Sequence, residues 1–164
     1  DLVRSRGLGD VYKRQIILHG VSMGAATVLM ASGEELPENV KAIIADCGYT
    51  SEWDEFKCEA NALHIPWFPV LNAASVMSRL RDGYDFKQAS ALEQVKQSRI
   101  PTLFIHGSDD ELVPYSMLDK LYSAAVCKKE CLTVNGAGHA LSSSVEPELY
   151  WNTVESFIEK YLEK

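Results

Sequence analysis

The sequence predicts an α/β domain on a parallel sheet, and three observations point there. Short apolar runs at residues 16–19, 40–46, 102–106 and 131–134 have the near-continuous hydrophobicity of strands buried on both faces. Helical stretches separate them, and strands alternating with helices imply parallel pairing through right-handed crossovers. The segment Gly20-Val21-Ser22-Met23-Gly24 follows the first run directly and opens into the small residues Ala25-Ala26. That is the composition of a sharp strand-to-helix turn.

Each element has its own signal. The first run, Ile16-Ile17-Leu18-His19, leads into the turn. The helix expected over 23–32 is apolar nearly all round, so it should be buried. Gly33 suits its C-terminal end. The second strand, 40–46, ends in Asp46, a residue placed to tie down a neighbouring loop. Between the second and third strands lie about fifty residues, 48–99, far more than a simple crossover needs. This insertion holds Trp53, Phe56, Trp67, Phe68 and Tyr84, and a helical run over 71–80. Its aromatics either line an apolar pocket (Trp67, Phe68, Tyr84) or pack the insertion onto the sheet. After the third strand, Leu118, Leu121, Tyr122 and Ala125 fall at i, i+3, i+4 and i+7. After the fourth, Tyr150, Val154, Phe157, Ile158, Tyr161 and Leu162 mark one face of a long final helix. Ser144 is its expected cap, with Pro147 in its first turn.

The turn at Ser22 carries chemistry. A serine held there exposes its Oγ above the sheet edge, and Gly20 and Gly24 keep the space around it clear. The backbone N–H of Met23 faces a developing oxyanion. A serine hydroxyl needs a base, and the base needs an orienting group. The third strand ends in Ser108-Asp109-Asp110, and the fourth in Asn135-Gly136-Ala137-Gly138-His139. Ser, Asp and His thus each follow a strand's C-terminal end, the edge where parallel α/β sheets build their sites. The remaining histidines, His19, His64 and His106, read as structural or surface residues.

At these residues the chain resembles the α/β-hydrolases. It is similar to bacterial serine hydrolases of esterase, lysophospholipase-like and aminopeptidase-like type. The chain order Ser…Asp…His is the one expected of that fold. The family acid lies in H-G-x-x-D-x-x-V-P, here His106 to Pro114, which selects Asp110 over Asp109. The family base lies in a G-x-G-H turn, which selects His139. The resemblance covers residue 15 to the C-terminus and implies the C-terminal half of an α/β-hydrolase fold, a parallel sheet with flanking helices and a lid-like insertion. The implied activity is acyl transfer to water by a Ser22–His139–Asp110 triad, with a carboxylic ester as substrate. A serine peptidase or aminopeptidase is the runner-up, and a non-catalytic binding protein of the same fold is the third reading.

The resemblance also implies that four earlier strands, and the loop giving a second oxyanion donor, lack counterparts here. The expectation is a truncated hydrolase domain over 16–164, impaired on its own, with the first strand left as an apolar edge. Residues 1–15 show no helix or strand period and carry four basic and two acidic residues in an otherwise acidic chain. They read as a non-native or linker segment.

Composition bounds the partners. A chain of 164 residues suits one domain, and 46% hydrophobic with 24% charged residues is ordinary for a globular protein. The net charge of −7 and the lack of a basic stripe argue against nucleic acid. No phosphate-binding loop occurs, and Gly7-Leu8-Gly9 has Tyr12 where a third glycine belongs. Cys47, Cys58, Cys127 and Cys131 form no disulfide or zinc pattern, so no metal and no cofactor is expected. The expected partner is a small acyl ester or short peptide. No apolar run is long enough to span a bilayer. A cytoplasmic location is expected, with anchoring through a preceding segment as the alternative and membrane contact left open.

Overall fold

The computed structural model describes residues 15–162. The segment read above as non-native or linker lies, apart from Gln15, outside the described residues. Four strands, β1 (Ile16–Val21), β2 (Val40–Asp46), β3 (Thr102–Gly107) and β4 (Lys129–Val134), form one parallel sheet in the order β1-β2-β3-β4. Among the described residues seven helices connect and cover it: α1 (Met23–Ala31), α2 (Glu52–Ala62), α3 (Trp67–Asp82), α4 (Ala91–Val95), α5 (Ser116–Ala124), α6 (Ser142–Val145) and α7 (Pro147–Tyr161). This is the C-terminal part of the α/β-hydrolase fold. Three of the four strands run longer than their apolar cores, because ladder pairing continues into Gly20 and Val21 in β1, Gly107 in β3, and Lys129 and Glu130 in β4.

Period-two alternation sorts the central strands into two cores. Ile43, Ala45 and Phe104 face α1, α4 and α5, where Ala25, Leu29, Ala91, Val95, Leu118 and Leu121 are buried. Ala42, Ile44, Leu103 and Ile105 face α7, which buries Tyr150, Val154 and Phe157. Each such large side chain contributes roughly 1.5–3 kcal/mol. The insertion is thus not all lid, since its last helix, α4, is built into the core. Its other two helices, α2 and α3, pack on each other.

Three local expectations need correction. Only one side of α1 is buried, by Ala25, Ala26 and Leu29, while Met23 is 71% exposed and Thr27 faces solvent. The reason is that β1 is an edge strand among the described residues, so nothing there covers the helix's outer side. Ser144 does not cap the final helix; it sits inside the separate turn α6, and α7 has Glu146 at its N-cap and Pro147 in its first position. The helix predicted over 71–80 extends back to Trp67 across a non-helical Phe68. No helix among the described residues is long and apolar enough to cross a membrane.

Candidate active site

Ser22 sits between β1 and α1 with φ 54° and ψ −117°, outside the regions a serine ordinarily occupies. The strain is held from both sides. The Ser22 N–H donates to Asp46 O at 2.8 Å, which ties the turn to the end of β2. Gly20 lies so close to the start of α1 that a Cβ there would overlap the Gly24 carbonyl. Gly24 is different from expectation. A Cβ on it would meet nothing within 4 Å. The Met23 N–H, in the first turn of α1, has no intrahelical acceptor.

Asp110 and His139 come from two loops zipped to each other. Ser108 N–H donates to Val134 O, Asp109 N–H to Ala137 O, and Gly136 N–H to Ser108 Oγ. Gly107 leaves room for the Ala137 carbonyl that a Cβ would strike. This zipper delivers the two side chains to one point. His139 Nδ1 lies 2.9 Å from Asp110 Oδ2, and His139 Nε2 lies 2.8 Å from Ser22 Oγ. Asp110 Oδ1 accepts from the N–H groups of Leu112 and Val113. The carboxylate is therefore fixed at both oxygens. Asp109 instead accepts from the Ser108 hydroxyl and is exposed.

Electrostatics favour an ionised Asp110. Burial alone would raise its pKa, but hydrogen bonds from His106, His139 and the Val113 N–H outweigh burial and hold the carboxyl below the usual carboxylate range. An ionised Asp110 only accepts, so the Nδ1 of His139 carries a proton and Nε2 is free to accept from Ser22. The geometry is a continuous chain in which the serine hydroxyl can lose its proton to an imidazole held by a carboxylate.

His106 has a larger part than its reading as a structural residue suggested. Fully buried, it donates from Nε2 to Val113 O at 2.9 Å and lies 3.3 Å from Asp110 Oδ2. It braces the acid and the loop that carries it. Only its place four residues before Asp110 hinted at this. His19 is hydrogen-bonded to Tyr150, and His64 is exposed at the end of α2. Asp46 accepts from the Ser142 hydroxyl and so ties α6 to the sheet edge. Cys47 lies beneath the site with Asp110 and His139, the three offering ligand-type atoms within 4.8 Å of one another. Burial and the nearby Asp46 charge push the Cys47 thiol up to about 12. Both His139 nitrogens are already engaged, by Asp110 and by Ser22, so the set offers a metal no free imidazole ligand.

The aromatic pocket is only partly as expected. Trp67 lines an apolar pocket of about 220 Å³ with Phe56, Leu63, Ile65, Val70 and Leu71. Phe68 is 63% exposed and does not line that pocket, because the kink at α3's start turns it outward. Tyr84 hydrogen-bonds Glu52 instead. The pocket beside the nucleophile, about 180 Å³, is formed by Ser22, Met23, Tyr49, Leu112 and the α2 face that carries Glu52, Glu55, Phe56 and Glu59. No motif in the sequence marks the acidic residues of α2.

The comparisons agree with this architecture. The model of the prolyl oligopeptidase family matches residues 3–164. The uncharacterized protein YqkD of Bacillus subtilis is 30% identical over 143 residues, covering 87% of this chain and 47% of the relative. The chain thus spans about half the length of the curated relatives it matches. The esterase domain of a Rhodothermus marinus protein superposes with a TM-score of 0.67 at 22% identity, covering 98% of this chain and 67% of that one. The acylaminoacyl peptidase of Pyrococcus horikoshii gives 0.62 at 17% identity, covering 92% and 25%.

Proposed function

The chain belongs to the prolyl oligopeptidase family, and on that premise we propose that it is the catalytic part of a serine hydrolase cleaving a carboxylic ester. The observation that carries the reading is the hydrogen-bond chain Ser22–His139–Asp110. Ser22 Oγ attacks the acyl carbonyl while His139 Nε2 takes its proton. Asp110 orients the ring and stabilises the imidazolium. The Met23 N–H donates to the oxyanion, an interaction worth roughly 3–4 kcal/mol of barrier. His139 then returns the proton to the leaving alcohol, and water repeats the sequence on the acyl-enzyme.

A short peptide or amide is the second reading. The family's name and the shared fold of an acylaminoacyl peptidase favour it. Both readings use the same nucleophile.

Fluorophosphonate labelling followed by peptide mapping tests the nucleophile. Covalent modification of Ser22, lost in Ser22→Ala, is the expected result. A folded sample that takes no label at Ser22 overturns the reading.

A further inference from the structure

The pocket that opens on Ser22 has an unusual wall. Glu52, Glu55 and Glu59 occupy positions i, i+3 and i+7 of α2, which stacks three carboxyls on one helix face. Acidic residues at such spacing ordinarily face solvent. Here the face turns toward Ser22 and Met23, and Glu55 is only 7% exposed.

Two of these carboxyls each leave one buried oxygen unsatisfied, although Glu52 also bonds Tyr84. The Oε2 atoms of Glu52 and Glu55 are buried without a hydrogen bond. Among the described residues no Lys or Arg forms an ion pair with Glu52, Glu55 or Glu59. Other acids nearby are provided for, since Asp54 accepts from Thr50 and Asp110 is bonded at both oxygens. A buried acceptor left unmade is costly, more so when charged.

We propose that this pocket is a subsite for a primary ammonium group of the substrate. The orphaned acceptors need donors, which a primary ammonium supplies and a quaternary one does not. About 180 Å³ accommodates such a group within a few bonds of a carbonyl at Ser22. Phe56 adds an aromatic ring to the same wall. The proposal rests on the hydrolase reading and narrows its substrates to amine-bearing acyl compounds. The amine lies either on the acyl side, as in an aminoacyl ester or amide, or on the leaving alcohol.

The electrostatics agree with a site that favours a cation. Burial, Glu59 and Asp110 push Glu55 up to about 7. The groups around it are Glu52 and Glu59 on α2, Tyr49 before that helix, Tyr84 after α3, Asp110 after β3, and Cys58, on which Lys57 and Lys120 also act. Acidic groups dominate, so bound ammonium draws Glu55 into its ionised form. Uncompensated carboxylates would also oppose the oxyanion forming at Ser22. Neutralising them makes turnover, as well as binding, selective for cationic substrates.

The test uses the full-length protein and pairs of near-isosteric substrates at neutral pH. One pair is an aminoacyl ester and its hydroxyacyl counterpart; the other is an aminoethyl ester and its hydroxyethyl counterpart. The expected kcat/KM ratio of amine over hydroxyl is roughly ten- to a hundredfold in one pair, which identifies the side. In Glu55→Gln, and in the less buried Glu59→Gln, that ratio falls toward unity. A wild-type ratio near unity in both pairs, with Ser22 still labelled and hydroxyl substrates still cleaved, overturns the subsite while the hydrolase reading stands. Failure of labelling and of all turnover removes the hydrolase reading and the subsite with it.

Discussion

His139 Nδ1 lies 2.9 Å from Asp110 Oδ2, while Asp109, one residue earlier, accepts from Ser108 and is exposed. Adjacent and chemically identical carboxylates thus have different tasks. Asp110→Asn keeps the shape but offers Nδ1 a donor in place of an acceptor, which disfavours the tautomer the serine needs. We expect it to lower kcat by about 10³–10⁴. Asp109→Asn should change kcat by less than about threefold, within the range of a surface change. Steady-state ester hydrolysis measures both, and the reverse ranking would remove Asp110 as the acid.

Gly20 and Gly24 flank Ser22 symmetrically in sequence but not in space. A Cβ at Gly20 would overlap the backbone of α1, whereas Gly24 has open space. Gly20→Ala should push the turn apart, cost more than about 2 kcal/mol and abolish labelling of Ser22. Gly24→Ala should keep the fold and gain up to about 1 kcal/mol from its helical position. Denaturant melts of both variants check this; equal losses would show that the turn is not packed as described.

Cys47 should be the last thiol to react. It is fully buried, and a pKa near 12 leaves it thiolate-poor. Cys131 is exposed. Alkylation with time-resolved peptide mapping should modify Cys131 first and Cys47 only when the chain unfolds. Early modification of Cys47 in native protein would contradict its burial.

Much of this molecule is legible in its sequence because its signals are local. Apolar runs mark the central strands, and G-x-S-x-G fixes a turn whose chemistry follows from its shape. The meeting of Ser22 with His139 follows from strand ends sharing one sheet edge. Other features depend on what packs across the chain. Glu52, Glu55 and Glu59 look like any solvated helix face until α2 is laid against Ser22. His106 reads as a strand-end residue until Val113 and Asp110 fold back over it. Phe68 left the expected pocket because the chain is non-helical there, which no apolar pattern signals.

Glu55 should make stability fall with rising pH in a window that its own titration sets. Its pKa rises from an ordinary 4.5 to about 7 on folding, through burial first and then Glu59 and Asp110. Between those values the folded chain holds a proton that the unfolded chain has released. Stability therefore declines as pH rises through the window, and the loss is complete above about 7. Glu55→Gln does not titrate and escapes that loss. Thermal or urea melts should find the variant more stable than the parent by roughly 1–3 kcal/mol at about pH 8, and little different at about pH 4. A gain of the same size at both pH values would assign the effect to packing and leave the acidic wall without its electrostatic cost.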